Sequence, residues 1–375
     1  MKQIRFAFLI ACACCVSAAW GQESAANSLN NWSEYHRTDM VRYNPYEDVL
    51  NIHNVGNLEL KWSYSVDTYG CSGTAVANGM VYAGFGNGQE IAFNATTGAK
   101  LWSYTTGNSI YSFSAVANGA VYFGSNDNNV YALNAKTGAK LWSYATGGGV
   151  SSGPAVVDGV VYIGSGDNNV YALNASTGAK LWSYTTGGGV LSSPAVVDGV
   201  VYVGSYDNNV YALNASTGAK IWSYATGDFV FSSPAVVDGV VYVGSEDNTF
   251  YALQASTGAL LWSYTTGDYL RSSPAVLHGV VYFTSWDLNA YALNASTGDL
   301  VWSYYIGATG GSGPALANGV VYITANNGVT TALNMSTGAK LWSYQSSLPF
   351  LPAVANGMVY IGDNESGNVY AFGLK

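Results

Sequence analysis

Short runs of apolar residues, four to six long, recur along this chain and are parted by turns bearing glycine, asparagine or aspartate. A representative stretch from Pro194 to Tyr224 reads PAVVDGVVYVGSYDNNVYALNASTGAKIWSY. Four strands are predicted in it: A over 194–197, B over 200–204, C over 209–214 and D over 219–224. Asp198-Gly199 joins A to B, and an Asx-Gly pair between β-rich runs is a strong hairpin signal. Ser216-Thr217-Gly218 turns C into D. No stretch has helical periodicity.

The pattern repeats with a fixed step. Trp-Ser-Tyr occurs eight times at a spacing of 40 residues, with tryptophans at Trp62, Trp102, Trp142, Trp182, Trp222, Trp262, Trp302 and Trp342. Four short antiparallel strands per 40 residues make one blade of a β-propeller. The fold class expected is therefore all-β, an eight-bladed propeller. Its ends predict closure. A lone D strand, 58–64, comes first, and the chain stops after a C strand, 368–374. Pairing those two completes the eighth blade and leaves no open terminal edge. Each repeated Trp has a structural reading: burying an indole removes roughly 150–250 Å² from water, and the Tyr two residues on shares its face by strand alternation.

Three divisions follow. Residues 1–21 read as a secretory signal, with Lys2 and Arg5 before an apolar run at 6–19 and small residues at 19–21. Leu9-Ile10-Ala11-Cys12 resembles a lipobox, but Cys12 lies very early, which favours a cleaved leader over a lipid anchor. Residues 22–57 form a polar tail and then an aromatic segment from Trp32, expected to pack along the propeller edge and lead into the closing strand. Residues 58–375 are the propeller. No later run is long and apolar enough for a membrane-spanning helix. Export to a periplasmic or extracellular space of bacterial type is expected, as a monomer.

Composition narrows the function classes. With Lys2 and Arg5 lost alongside the leader, the 13 basic residues fall to 11 against 22 acidic ones, a formal charge of −11. That excludes a nucleic-acid partner. Three of the four cysteines lie in the leader, so Cys71 stands alone and no intrachain disulfide forms after cleavage.

A family resemblance rests on two sets of residues. Trp32-x-x-Tyr35, Asp39, Arg42-Tyr43-Asn44-Pro45 and Asn54-Val55-Gly56-Asn57-Leu58-x-Leu60-x-Trp62 look like the leading segment of quinoprotein alcohol dehydrogenases. The run from Ala212 to Trp222 resembles that family's tryptophan-docking repeat, with Asn214 where the family usually has aspartate. Together they cover nearly all of the chain after the leader. The resemblance implies an eight-bladed propeller of the pyrroloquinoline quinone (PQQ) repeat type. The same repeat builds non-catalytic propellers, including an outer-membrane assembly lipoprotein.

Eight copies in one chain can be compared with one another. What every copy keeps serves the scaffold; what varies at a fixed offset is free for function, or is drift after duplication. Nine residues after Trp come Cys71, Tyr111, Ser151, Leu191, Phe231, Arg271 and Gly311; two before those lie Tyr69, Ser109, Gly149, Gly189, Phe229, Tyr269 and Thr309. Twenty-four after Trp come Gly86, Asn126, Gly166, Tyr206, Glu246, Trp286 and Asn326. The first two offsets fall in the D-to-A connection and the third in the B-to-C connection, which a four-stranded meander places on one face, around the channel mouth. The candidate ligand or partner surface is Tyr69, Tyr111, Phe113, Tyr206, Phe229, Phe231, Glu246, Tyr269, Arg271 and Trp286.

A PQQ enzyme needs basic partners for the quinone carboxylates, oxygen ligands for calcium and a base for the alcohol proton. The resemblance also implies an adjacent cysteine pair, which this chain lacks after the leader. The variable face has one clear cation, Arg271, and few carboxylates, Asp228, Asp268 and Glu246. Asp127, Asp167, Asp207, Asp247 and Asp287 recur at 40-residue spacing, but their place at the head of a hairpin loop predicts turn capping rather than metal binding. His36, His53 and His278 lack metal-ligand spacing, and His278 reads as an exposed turn residue. Neither a catalytic residue nor a metal site is assigned, and no cofactor is expected. The reading is an exported, non-catalytic binding or scaffold propeller whose partner is an envelope or extracellular protein or a glycan. The alternatives are a PQQ- and calcium-dependent alcohol dehydrogenase and an outer-membrane protein assembly factor.

Overall fold

The computed structural model describes residues 32–33, 42–310 and 313–375. The expected leader with Cys12, together with His36 and Gly311, lies outside the described residues. Those described form eight sheets, each built on four antiparallel strands in the order A-B-C-D, one of them with a short fifth strand added in parallel on its A strand. Blade 1 runs from Ala75 to Thr105, and blades 2 to 7 follow at the 40-residue step. Blade 8 is composite: Pro349–Ala355, Met358–Asp363 and Asn368–Gly373 are completed on the outside by Glu59–Ser65 from the other end of the chain. Glu59 pairs with Gly373 and Ser65 with Asn368, so the ring closes as the terminal strands predict.

In blade 4 the strands are Ala195–Val197, Val200–Gly204, Asn209–Asn214 and Lys220–Ala225. The expected B and C strands match to the residue, and A and D differ by one at their ends. Asp198 and Gly199 both have positive φ, 49° and 75°. Such a two-residue turn carries the twist of the flanking strands. Strand D has a bulge, because Lys220 pairs with Leu213 and Trp222 with Ala212, leaving Ile221 over. The extra residue resets the alternation: Lys220 and Ile221 both face solvent, and Trp222 turns inward.

Blades are joined by a repeated polar contact inside the apolar interface. The indole Nε1 of Trp222 donates to the carbonyl of Ala255 in the next blade at 2.8 Å, and Tyr202 Oη donates to the same carbonyl at 3.3 Å. The same pair of donors meets one carbonyl at Ala135, Ala175, Ala215, Ala295, Met335 and Ala95. Gly258, with φ +73°, lies under the indole: a Cβ there would sit 2.7 Å from Trp222. At the chain seam the arrangement is incomplete. Trp342 Nε1 reaches Leu58 O at 3.2 Å, but the buried Tyr322 hydroxyl finds no partner.

Of the segment that precedes the closing strand, residues 32–33 and 42–57 are described, and Trp32–Ser33 and Arg42–Asn44 lie against the innermost strands. Trp32 exchanges two backbone hydrogen bonds with Val76, and Ser33 O accepts from Val116 N. Tyr43–Asn44 pairs in parallel with Ala315–Ala317 of blade 7. Arg42 is buried, donates from Nε to Pro314 O at 2.7 Å and lies 5.5 Å from the Trp32 ring centre. Asn44 Nδ2 donates to Val354 O, and the Glu47 carboxylate accepts from Leu50 N and Gly357 N. The physical reason is the inner strands' unpaired edge. Strand A has a neighbour on one side only, so its remaining N–H and C=O groups face the axis and need partners.

This architecture makes the first strand a structural keystone. A variant lacking residues 22–64 is expected to lose its single cooperative thermal transition, because blade 8 loses its outer strand and the axis loses its filling. An unchanged melting curve would overturn the closed ring.

Candidate functional site

The two variable loops of each blade touch. In six blades the backbone N–H at the B-to-C offset donates to the carbonyl of the D-to-A residue preceding it by 17. Examples are Tyr206 to Gly189 at 3.0 Å, Glu246 to Phe229 at 2.9 Å and Trp286 to Tyr269 at 3.0 Å. The positions that vary most are therefore fixed against each other by main-chain bonds, and their side chains are free to differ. The recurring aspartates brace the same loops. Asp207 Oδ1 accepts from Asn209 N, and Oδ2 accepts from Gly187 N and Tyr211 Oη; Asp127, Asp167, Asp247 and Asp287 repeat the pattern. Turn capping is the observed role. Burial acts to raise the carboxyls of Asp127, Asp167 and Asp207, but these hydrogen bonds outweigh it and hold them below the ordinary aspartate range.

Inside the ring of loops lies a cavity of about 370 Å³. Its lining includes Ser193, Ser233 and Ser273, whose hydroxyls accept backbone N–H groups from the preceding blade at 2.8–2.9 Å. These serines tie the inner strands into a chain of hydrogen bonds, so their oxygens are spoken for. Phe113 and Phe350 stack across blade 1 with centroids 5.8 Å apart and planes at 9°. Gly73 packs between Phe113 and Leu351: a Cβ there would come 2.3 Å from the Phe113 ring and 3.0 Å from Leu351 Cβ.

Five of the ten sequence-assigned residues line this cavity: Tyr111, Phe113, Phe231, Arg271 and Trp286. Four more adjoin it through them. Tyr206 stacks on Phe229 at 4.9 Å and 8°, and meets Phe231 at 6.3 Å. Tyr269 packs on Trp286 at 5.8 Å. Arg271 links the two groups, its guanidinium 4.4 Å from the Trp286 ring centre and 5.8 Å from that of Phe231. Glu246 is buried and holds Arg271 by two contacts, Oε1 to Nε at 2.9 Å and Oε2 to Nη2 at 3.3 Å. The result is one continuous aromatic and cationic ladder over blades 4, 5 and 6. Tyr69 stands apart from it, 77% exposed, outside the cavity lining.

Sequence comparison overlooked Phe350, Leu351 and Leu191 in the lining. Leu191 was visible at the first variable offset. Phe350 escaped because blade 8 has a shorter D-to-A connection, which breaks the fixed spacing. Cys71 also lines the cavity but is 1% exposed, and burial drives its thiol far up, so it is held neutral. His278 is an exposed turn residue with φ 50°, as expected.

The lining does not make a cradle for PQQ and calcium. Its cation, Arg271, is already neutralised by Glu246, leaving nothing on the described lining to balance the quinone carboxylates. The described residues hold no group of three or more His, Cys, Asp or Glu able to ligate a metal. Cys71 has no cysteine partner there.

The family described as outer membrane protein assembly factor BamB matches residues 58–150, 145–230 and 189–375. No curated protein sequence matches the chain. Among solved structures, BamB from Moraxella catarrhalis is similar at 19% identity and a TM-score of 0.74, over 84% of this chain and 100% of that one. A quinohemoprotein alcohol dehydrogenase from Pseudomonas putida is similar at 18% identity and 0.79, over 93% and 81%. The computationally designed Ika8 protein is similar at 18% and 0.74, over 83% and 98%. An assembly factor, a dehydrogenase and a design share the ring, so the likeness speaks for the fold alone.

Blade 1 carries a substitution found in no other copy. Glu90 stands where other blades have Val130, Val170 and Val210. It is fully buried; Oε1 accepts from Ser114 Oγ at 2.7 Å and Oε2 has no partner. Burial pushes its carboxyl from an ordinary 4.5 up to about 8. A raised carboxyl favours folding while protonated, and that contribution fades as pH climbs from 4.5 through 8. The depressed turn aspartates act in the opposite sense, losing stability as pH falls below the ordinary carboxylate range. Glu90→Val is expected to raise the thermal midpoint strongly at pH 8, by an amount on the order of a few kcal/mol in stability, and little at pH 5. Equal effects at both pH values would show that Glu90 is not neutral at rest.

Proposed function

The chain belongs to the PQQ-repeat family described as outer membrane protein assembly factor BamB, and from that premise we propose that it is an exported, non-catalytic binding propeller of the bacterial envelope. Its partner is an envelope protein, engaged at the channel mouth by the ladder of Tyr206, Phe229, Phe231, Arg271, Trp286 and Tyr269. The observation that carries this reading is the convergence of aromatic faces around one held cation. Phe229, Phe231 and Tyr269 are each about 40% exposed, and Arg271 is fixed between rings by a buried carboxylate. Exposed aromatics and arginine clustered at a rigid rim have the composition of a binding hot spot. Nothing in the fold requires them: blade 3 places glycines at the equivalent positions, Gly149 and Gly166, and closes the same way.

Catalysis with PQQ is disfavoured by the chemistry of the lining, as argued above. A glycan partner is a second reading, supported by the flat, solvent-facing rings of Phe229 and Tyr269, against which a sugar face can stack.

The double replacement of Phe231 and Trp286 by alanine tests the reading. It is expected to leave the thermal midpoint nearly unchanged and to abolish capture of partner proteins from envelope extracts by the immobilised propeller. A collapse of the fold would make these residues core rather than site. Stoichiometric binding of PQQ with calcium, with turnover of an alcohol, would replace the proposal by the enzyme reading.

A further inference from the structure

The D-to-A and B-to-C connections of the ring hold ten of the chain's 22 acidic residues and one basic residue, Arg271. Six of the ten are committed. Asp127, Asp167, Asp207, Asp247 and Asp287 cap their turns, and Glu246 is paired with Arg271. Two others, Asp228 and Asp268, immediately precede the ladder rings Phe229 and Tyr269. Asp228 Oδ1 accepts from Phe229 N and Asp268 Oδ1 from Tyr269 N, both at 2.8 Å. Asn108 makes the same cap to Ser109 N at 2.8 Å, and four other connections carry Thr68, Gly148, Gly188 and Ala308 at this offset. The turn therefore needs an amide oxygen at most, and no negative charge. Carboxylates occupy the offset in two consecutive connections, the two that also carry Phe229 with Phe231 and Tyr269 with Arg271.

Arg271 shows what rings and a carboxylate hold together in this sector. Its guanidinium lies 4.4 Å from the Trp286 ring centre and 5.8 Å from that of Phe231, and Glu246 meets its charge at 2.9 Å. Phe229 with Asp228 and Tyr269 with Asp268 supply the same two components, an aromatic ring and a carboxylate, and no lysine or further arginine lies in these connections. The two rings are 41% and 38% exposed.

We propose that the protein partner enters the mouth with an arginine-bearing segment, whose guanidinium groups stack on Phe229 and Tyr269 and pair with Asp228 and Asp268. The proposal rests on the reading of the mouth as the binding site and adds the chemistry of its occupant. Charge complementarity chooses that occupant. An acidic segment meets like charge, and a purely apolar one strips water from two carboxylates without replacing it. A neutral glycan can hydrogen-bond to the two carboxylates, but the excess of acid around the mouth does nothing for it. A guanidinium uses every component at once: its plane stacks on a ring while its edge donates to a carboxylate. The acidic mouth also steers a basic segment before contact.

Fluorescence anisotropy with the full chain and two short synthetic peptides tests it. One peptide carries arginines on both sides of a central leucine; in the other, citrulline replaces each arginine, keeping the shape and removing the charge. The arginine peptide is expected to bind tighter by about tenfold or more in low salt, and the difference to shrink in high salt. Asp228→Asn with Asp268→Asn keeps the oxygen that caps each turn, as Asn108 does, so the melting curve is expected to hold while the preference for arginine vanishes. Equal behaviour of the two peptides toward the parent protein, bound or unbound, overturns the arginine assignment, and so does a preference that the asparagine variant retains. Phe231→Ala with Trp286→Ala separates this proposal from the reading beneath it. Partner capture lost in that variant, with no arginine preference in the parent, leaves the mouth as the binding site and removes its basic occupant. Capture and arginine preference both retained in that variant overturn the mouth itself.

Discussion

The structure depends on one carbonyl per blade junction. The oxygen at the head of each C-to-D turn accepts from an outer-strand indole and an inner-strand tyrosine of the preceding blade. Both donors sit in an apolar interface where an unpaired polar atom is costly, so the contact sets the approach of one blade to the next as much as it holds them. It also explains which residues cannot vary. The tryptophan needs the bulge that turns it inward, the bulge exposes the two residues before it, and the glycine of the facing turn makes room for the ring. All of these lie at the C-D end of the blade. At the other end the D-A connections of neighbouring blades are joined through serines such as Ser193, Ser233 and Ser273, while the side chains at the variable offsets are left out of that chain, and that is the freedom from which the mouth is built.

Most of the ring was legible because its determinants are local. Asx-Gly pairs announce the A-B turns, the 40-residue step fixes the blade count, and a spare outer strand at one terminus with a missing one at the other announces closure. The placement of residues 32–33 and 42–57 was not legible. That segment has no periodicity, and its destination is set by a demand elsewhere, the unpaired inner edges of strands A. Arg42 illustrates the difficulty. As sequence it is one basic residue beside a tyrosine; in the fold it is buried on the axis against carbonyls from blades 7 and 8. A long-range requirement of this kind leaves its signature at both places and is readable at neither alone.

The mouth falls between these extremes. Comparison of the copies named ten residues; five of them line the cavity and four more pack on those five. It did not pair them. Glu246 and Arg271 belong to different offsets in different blades, and only the ring brings carboxylate and guanidinium within 2.9 Å. The pair changes what the site can do. A free arginine at a channel mouth would be a docking point for carboxylates; an arginine held by a buried glutamate and flanked by two rings is a rigid, nearly neutral spacer that keeps aromatic faces apart and presented. Tyr69 shows the converse, a residue at a variable offset that the fold leaves isolated.

Charge is distributed unevenly over the two faces. The turn aspartates, with Asp228, Asp268, Glu246 and Asp363, all belong to the loops around the mouth, while Lys100, Lys140, Lys180, Lys220 and Lys340 open the outer strands at the far rim, where Asp158, Asp198, Asp238 and Asp299 occupy the neighbouring A-B and C-D turns. The mouth is therefore acidic and the far rim of mixed sign. At the mouth the one cation of the ladder, Arg271, is spent on Glu246, so a partner met there gains its affinity from aromatic faces, and the surrounding carboxylates act on which partners approach and how fast.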